Sequence, residues 1–244
     1  MQKTILLLVM LLSGVAGYGQ ISIEPDTSVS QSSSGTAARK EWLPPFDAVV
    51  VDAPVDVVFV CVPESEVPQI VYDTKGSYTS KFTAGVRDRV LYIKERSDPR
   101  RIGRTTVEVR YNDLRSLTLS GAAASFVGVL AAPMLDLTVG DRASLAVQLQ
   151  ADDLEMELSG ESSATLSGEV RYLTLEASAG QVEARGLTAV SVSVAAQAKA
   201  RVSVTATERL EAHVTTGASV RYGGAPAIVR TSKKFMAGEV APIG

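Results

Sequence analysis

The chain has 244 residues with 24 Lys+Arg against 27 Asp+Glu, a net charge of −3, and only 5% aromatic residues. So mild and dispersed a charge offers no basic stripe for nucleic acid and no block of like charge. A single cysteine, Cys61, excludes an internal disulfide, and a single histidine, His213, argues against a zinc centre.

In chain order, Met1–Gly19 reads as a secretory signal peptide. Lys3 supplies the charge, Ile5–Leu12 the apolar run, and Gly17 and Gly19 the small residues at minus three and minus one, with cleavage before Gln20. The run is too short to span a bilayer; the alternative is an N-terminal anchor that stays attached. Loss of Lys3 leaves a mature net charge of 23 − 27 = −4. No other segment is long and apolar enough to cross a membrane. Residues 20–41 are polar and Ser-rich, without aromatics or periodicity, and predict a flexible linker.

Trp42–Tyr111 is rich in β-branched runs: Phe46–Val51, Val55–Val62, Gln69–Tyr72, Val90–Ile93 and Thr106–Tyr111. Val57–Val62 is apolar at both parities, which predicts a strand covered on both sides and a buried, inert Cys61. An intermolecular bridge through Cys61 is the alternative. Ser97–Gly103, with Asp98-Pro-Arg-Arg101, reads as a loop. This strand-rich region is expected to pack on the start of the array that follows and to cap its open edge.

Leu117–Tyr222 is a tandem array. One leading apolar position per unit, Leu117, Leu135, Leu154, Leu173, Val192 and Leu210, recurs at steps of 18, 19, 19, 19 and 18 residues. Within each unit apolar residues alternate with Thr, Asp, Glu or Ser, the period of a strand. Small residues trail them: Ser120-Gly121, Val139-Gly140, Ser159-Gly160, Ser178-Ala179-Gly180, Ala195-Ala196 and Thr216-Gly217, read as bends. A second short run closes each unit, as in Leu145–Val147 and Val202–Val204. One coil cannot bury its inward side alone, so the coils stack into a parallel β-solenoid. Six coils at ~4.8 Å each would extend about 29 Å. Past the array, Tyr222-Gly-Gly-Ala-Pro226 is a turn and Ala227–Arg230 a last strand; residues 223–244 read as a C-terminal cap.

The search for chemistry is short. His213 alternates outward and has no second histidine near it. No Gly-x-Ser-x-Gly elbow, phosphate loop, dinucleotide fingerprint or EF-hand occurs. Carboxylates are left: Asp152, Asp153, Glu155, Glu157 and Glu161 are close in sequence, and Glu176 and Glu183 fall on neighbouring coils. Two carboxylates on adjacent coils could act as acid and base or hold Ca²⁺. Glu155 and Glu157, however, alternate outward, where charged side chains are ordinarily solvated. The outward ladder Thr118, Asp136, Glu155, Thr174, Ser193 and Glu211 is polar and flat, suited to an extended polymer. Asp136, Glu155, Glu157 and Glu211 are the candidate binding residues; no catalytic, cofactor or metal residue is assigned.

Several of these motifs also resemble one family. Phe46-Asp-Ala-Val-Val-Val51 followed by Val55-Asp-Val57, Val90-Leu-Tyr-Ile93, Leu117-Thr-Leu-Ser-Gly121, Leu158-Ser-Gly160 and Tyr222-Gly-Gly-Ala-Pro226 occur in an order similar to that of the bacterial auto-transporter adhesin, head GIN domain family. The likeness runs from Trp42 to Gly244. It departs from the family at Ser178-Ala179-Gly180 and Ala195-Ala196-Gln197, which replace a Ser-Gly pair, and at Ala53-Pro54, which replaces a glycine. The resemblance implies an all-β, right-handed parallel β-helix-like fold, exported beyond the inner membrane, and brings no catalytic residues with it.

The expectation is therefore an exported, non-catalytic β-solenoid with a strand-rich N-terminal cap. It would serve as an adhesin or binding protein of the cell envelope, in the periplasm, at the outer membrane surface or outside the cell. Its partner would be a polysaccharide or protein, with no nucleic acid, no cofactor, no transmembrane segment in the mature chain, and a homo-oligomer possible. A carbohydrate-active enzyme, a lyase or hydrolase working across coils, and a structural envelope component are the alternatives.

Overall fold

The computed structural model describes residues 38–75, 81–96, 103–234 and 238–243, all within the unit Ser34–Gly244. The expected signal peptide, most of the expected linker and nearly all of the expected Ser97–Gly103 loop lie outside the described residues. Among the described residues there are sixteen strands and no helix. They are β1 (Arg39–Trp42), β2 (Ala48–Asp52), β3 (Asp56–Cys61), β4 (Gln69–Asp73), β5 (Phe82–Arg87), β6 (Val90–Glu95), β7 (Thr106–Tyr111) and β8 (Ser116–Ser120). Five long, bent strands follow, β9 (Ala123–Gly140), β10 (Ser144–Ser159), β11 (Ser163–Ser178), β12 (Gln181–Gln197) and β13 (Arg201–Thr215). Last come β14 (Ser219–Gly223), β15 (Ile228–Lys234) and β16 (Glu239–Pro242). β1 thus takes in Arg39–Glu41, the last residues of the expected linker.

The long strands wind as a parallel β-solenoid of about six turns. Their second halves build a first face, in the order β5-β6-β2-β8-β9-β10-β11-β12-β13-β15. Their first halves build a second face, in the order β1-β4-β7-β3-β9-β10-β11-β12-β13-β14-β16. Alternation explains the packing: every second side chain points inward, and parallel register lays like on like. Leu135, Leu154, Leu173, Val192 and Leu210 form one inward column, and none is more than 2% exposed. Leu117, Leu137, Met156, Leu175, Val194 and Ala212 form the next. Full burial of such a side chain contributes about 1.5–3 kcal/mol.

The register corrects the first step of the repeat. Leu117 pairs with Leu137, not Leu135, so Thr118 stands beside Thr138 and Asp136 beside Ser116. A slip of two residues leaves every side chain on the same side, so alternation cannot detect it. The extra length sits at a bulge in β9. Ser125 and Val129 there oppose Ala146 and Gln148 of β10, and Gly128 takes a φ of 82°.

Two of the expected bends are also displaced. Val139-Gly140 and Ala195-Ala196 lie inside strands; the chain turns at Asp141-Arg142 and Ala198-Lys199, all four with positive φ between 51° and 65°. After each turn a small residue is buried at the corner: Ala122, Ala143, Ser162, Ala200 and Ala218. At Gly180, in the same column, a Cβ would come within 2.5 Å of the Ser162 carbonyl oxygen, so only glycine fits.

The N-terminal coils are interleaved. β2 pairs with both β6 and β8, and β3 with both β7 and β9. The coil that comes first in sequence is therefore enclosed between two that come later. Arg104 stitches this crossing: its guanidinium donates to the carbonyls of Val55 at 2.8 Å and Gly121 at 3.1 Å and pairs with Asp56 at 2.7 Å. Phe59 stacks on Phe126 with centroids 4.7 Å apart, and Tyr111 meets both edge-on. Beyond this coil, β5 lies antiparallel on β6, and β4 and β1 lie antiparallel beyond β7. These antiparallel strands end the parallel ladder, whereas β2, β3, β6 and β7 of Trp42–Tyr111, the region expected to cap the array, are parallel members of the ladder itself. At the other end β15 and β16 each add one parallel strand.

β3 is buried on one side only. Val57 and Phe59 face the core, Val58 is 37% exposed, and Cys61 is exposed rather than buried. Its outward row continues across β7 as Glu108 and Arg110 and meets solvent there. The run of valines reflects β-propensity on the outer side rather than a second core.

Candidate functional site

The outward side of the first face presents two polar columns. One runs Ser116, Asp136, Glu155, Thr174, Ser193, Glu211, Arg230; the other runs Thr118, Thr138, Glu157, Glu176, Ala195, His213, Ser232. Neighbouring strands bring Asp136 beside Glu155, and Glu157 lies two residues along from Glu155 on the same side. Glu211 is not part of this group: Thr174 and Ser193 intervene, placing it three strands, or about 14 Å, from Glu155.

Electrostatics divide the face. Asp136, Glu155, Glu157 and Glu176 are exposed on consecutive coils. Glu211 sits instead among basic side chains. Arg209 donates to it at 3.0 Å, His213 Nε2 lies 3.7 Å away, and Arg230 is its register partner. The Arg209 hydrogen bond, ahead of the Arg230 and His213 charges, holds the Glu211 carboxyl below the usual carboxylate range.

Between the two halves lies a notch. Ala195 offers only a methyl group where the adjoining coils carry Glu176 and His213. The result is an open depression of about 240 Å³, lined by Glu157, Glu176, Ser178, Gln197 and His213. It presents two in-register carboxylates to one side, an imidazole to the other, and hydroxyl and amide groups along one edge. Such a set can accept hydrogen bonds from sugar hydroxyls or a cationic amine. Among the described residues, no three His, Cys, Asp or Glu side chains converge as metal ligands.

The remaining carboxylates go elsewhere. Asp152 lies 3.9 Å from Arg171, Asp153 stands between Met134 and Tyr172, and Glu161 is exposed at a turn. Glu183 belongs to the second face, where Arg185 grips it with two hydrogen bonds of 2.6 and 3.1 Å. Sequence reasoning missed the pairing of Glu157 with Glu176, although the 19-residue step from one to the other carries it. It also missed the Ala195 gap, because an alanine where neighbours are long leaves no motif.

Residues 45–226 match the profile of the family described as "Putative auto-transporter adhesin, head GIN domain". The fold is similar to the crystal structure of a putative adhesin from Bacteroides fragilis, with a TM-score of 0.78 and 19% identity over 84% of this chain and 96% of that one. A putative adhesin from Parabacteroides distasonis gives 0.67 and 20% over 86% and 98%. A putative lipid binding protein from the same species gives 0.61 and 14% over 86% and 98%. No curated protein matches the chain.

Proposed function

The chain belongs to the family described as "Putative auto-transporter adhesin, head GIN domain", and from that membership we propose an exported, non-catalytic binding protein of the cell envelope. The observation that carries this is the first face: two flat polar columns in strict register, interrupted by one shallow notch at Ala195. An extended polysaccharide lies along such a face, with its hydroxyls toward Asp136, Glu155 and Glu157 and toward Glu211 at the far end. One sugar unit sits in the notch beside Glu176 and His213. Binding of this kind rests on many weak, solvent-exposed hydrogen bonds, so affinity comes from repetition along the polymer rather than from one deep pocket.

The test is binding of the mature protein to a panel of envelope and extracellular polysaccharides. Glu155→Gln with Glu157→Gln, and Ala195→Trp to fill the notch, should each weaken the bound polymer at least tenfold. Uniformly negative panels, or variants that bind like the parent, would remove the proposal. Export is tested separately: protein recovered from envelope fractions should begin at Gln20.

The enzyme alternative draws on the in-register pair Glu157 and Glu176. It predicts shorter products from a bound polymer and their loss in Glu176→Gln. The lipid-binding description of one similar structure is less suited to this chain. Its inward columns are filled by their own side chains, so a lipid would have to lie on the surface.

A further inference from the structure

On the second face, near the C-terminal end of the solenoid, four side chains form a checkerboard. Arg201 and Ser203 lie two residues apart on β13, and Ser219 and Arg221 two apart on β14. Register places Arg201 beside Ser219 and Ser203 beside Arg221. The arginines thus occupy opposite corners of one square and the serines the other two. The serines are short and partly buried, whereas both arginines are exposed. The square therefore has a low floor of hydroxyl groups between two raised guanidinium groups. This floor is part of a depression of about 380 Å³, also lined by Gln181, Glu183 and Ile243.

The charges around the square matter most. Glu183 adjoins Ser203 in register, but it is already held by Arg185, whose hydrogen bond keeps its carboxyl below the usual range. Glu239 adjoins Ser219 on the far side. Among the described residues, neither Arg201 nor Arg221 makes an ion pair. Two guanidinium groups without an ion pair, lining one depression at opposite corners of a square whose other corners carry hydroxyl donors, are the donor set that phosphate, sulfate and carboxylate groups select, because a guanidinium meets a two-oxygen anion with parallel hydrogen bonds.

We infer that Arg201, Ser203, Ser219 and Arg221 form a binding site for the anionic group of an acidic polysaccharide. A polymer is favoured over a membrane because the rim is polar: of its two apolar lining residues Val202 is buried, and Ile243 alone is too little to enter a lipid surface. The site is on a different face from the acidic columns, so it stands whether or not they bind.

The experiment compares the mature protein on dextran sulfate, polygalacturonate and neutral dextran at low and high salt. A parallel arm uses phosphatidylcholine vesicles with and without phosphatidylglycerol. The variants are Arg201→Gln, Arg221→Gln, their combination, and Arg171→Gln as a control on the array away from the square. Each single variant should lose about tenfold in affinity for the acidic polymers, the combination should lose more than fiftyfold, and added salt should weaken the parent. Arg171→Gln should bind like the parent, with circular dichroism showing all variants folded. Equal losses in Arg171→Gln, an equal loss of neutral dextran binding in the Arg201 and Arg221 variants, or binding of anionic vesicles but of no acidic polymer would each overturn the inference.

Discussion

Leu154→Ala probes the stack where the structure makes its strongest demand. Leu154 is 1% exposed and lies in register between Leu135 and Leu173. Truncation removes three carbons from the middle of a column. The coils above and below cannot close the gap, because parallel hydrogen bonds hold the strands ~4.8 Å apart. The cost therefore belongs in the upper part of the Leu-to-Ala range, about 3–5 kcal/mol. In a chain of this size each kcal/mol moves the melting temperature by roughly 2–4 °C, giving a fall of about 6–20 °C. Leu154→Asp adds the desolvation of a charge and should prevent folding. Glu155→Ala, one residue along but outward, should stay within ~0.5 kcal/mol of the parent. Thermal unfolding followed by far-UV circular dichroism, repeated at several scan rates, distinguishes these. If Leu154→Ala and Glu155→Ala melt together, the inward column is wrong.

Three further outcomes are expected. At Gly168, φ is 112° and a Cβ would collide with the Leu149 carbonyl, whereas at Gly128 φ is 82° and nothing lies within 4 Å. Gly168→Ala should therefore cost roughly 3 kcal/mol or more and Gly128→Ala about 1 kcal/mol, and equal chemical denaturation midpoints would refute this. Glu183 titrates low in the folded protein because Arg185 hydrogen-bonds it, so the pair favours folding above the unfolded carboxylate pKa and loses that contribution as pH falls through the lowered value. Arg185→Ala should move the Glu183 carboxyl titration, followed by NMR, upward toward the ordinary glutamate value; an unmoved titration would contradict it. Cys61 is exposed, so a maleimide should label the native protein fully without denaturant, and labelling only after unfolding would count against the placement of β3.

Much of the architecture was legible because two periods coincide. Alternation identified the inward residues, and the steps of 19, 19, 19 and 18 residues correctly joined Leu135, Leu154, Leu173, Val192 and Leu210. The first step failed because Leu135 and Leu137 are both inward on β9, and a two-residue slip changes neither face nor hydrophobicity. The turns at Asp141-Arg142 and Ala198-Lys199 were missed because positive φ was sought at glycine, while these corners impose it on other residues. Cys61 was misplaced because it shares the parity of the buried Val57 and Phe59 yet ends β3, and alternation does not mark where cover along a strand stops. Of the site, the outward carboxylates were readable one by one. The notch was not, since it arises from the short side chain of Ala195 between longer neighbours supplied by other coils.

The enclosure of β2 and β3 between later strands has a consequence for how the molecule is made and unmade. A simple stack can shed its first storey and present a fresh end; here, excising Phe46–Val62 would empty an interior storey and break contacts on both sides of it. A chain emerging from its N-terminus must hold this segment unsatisfied until the chain through β9 has arrived, so the early portion cannot mature by itself. Once Arg104 has closed over Val55 and Gly121, the crossing acts as a latch: fraying at the outermost strands peels away β1, β4 and β5 without releasing the segment beneath.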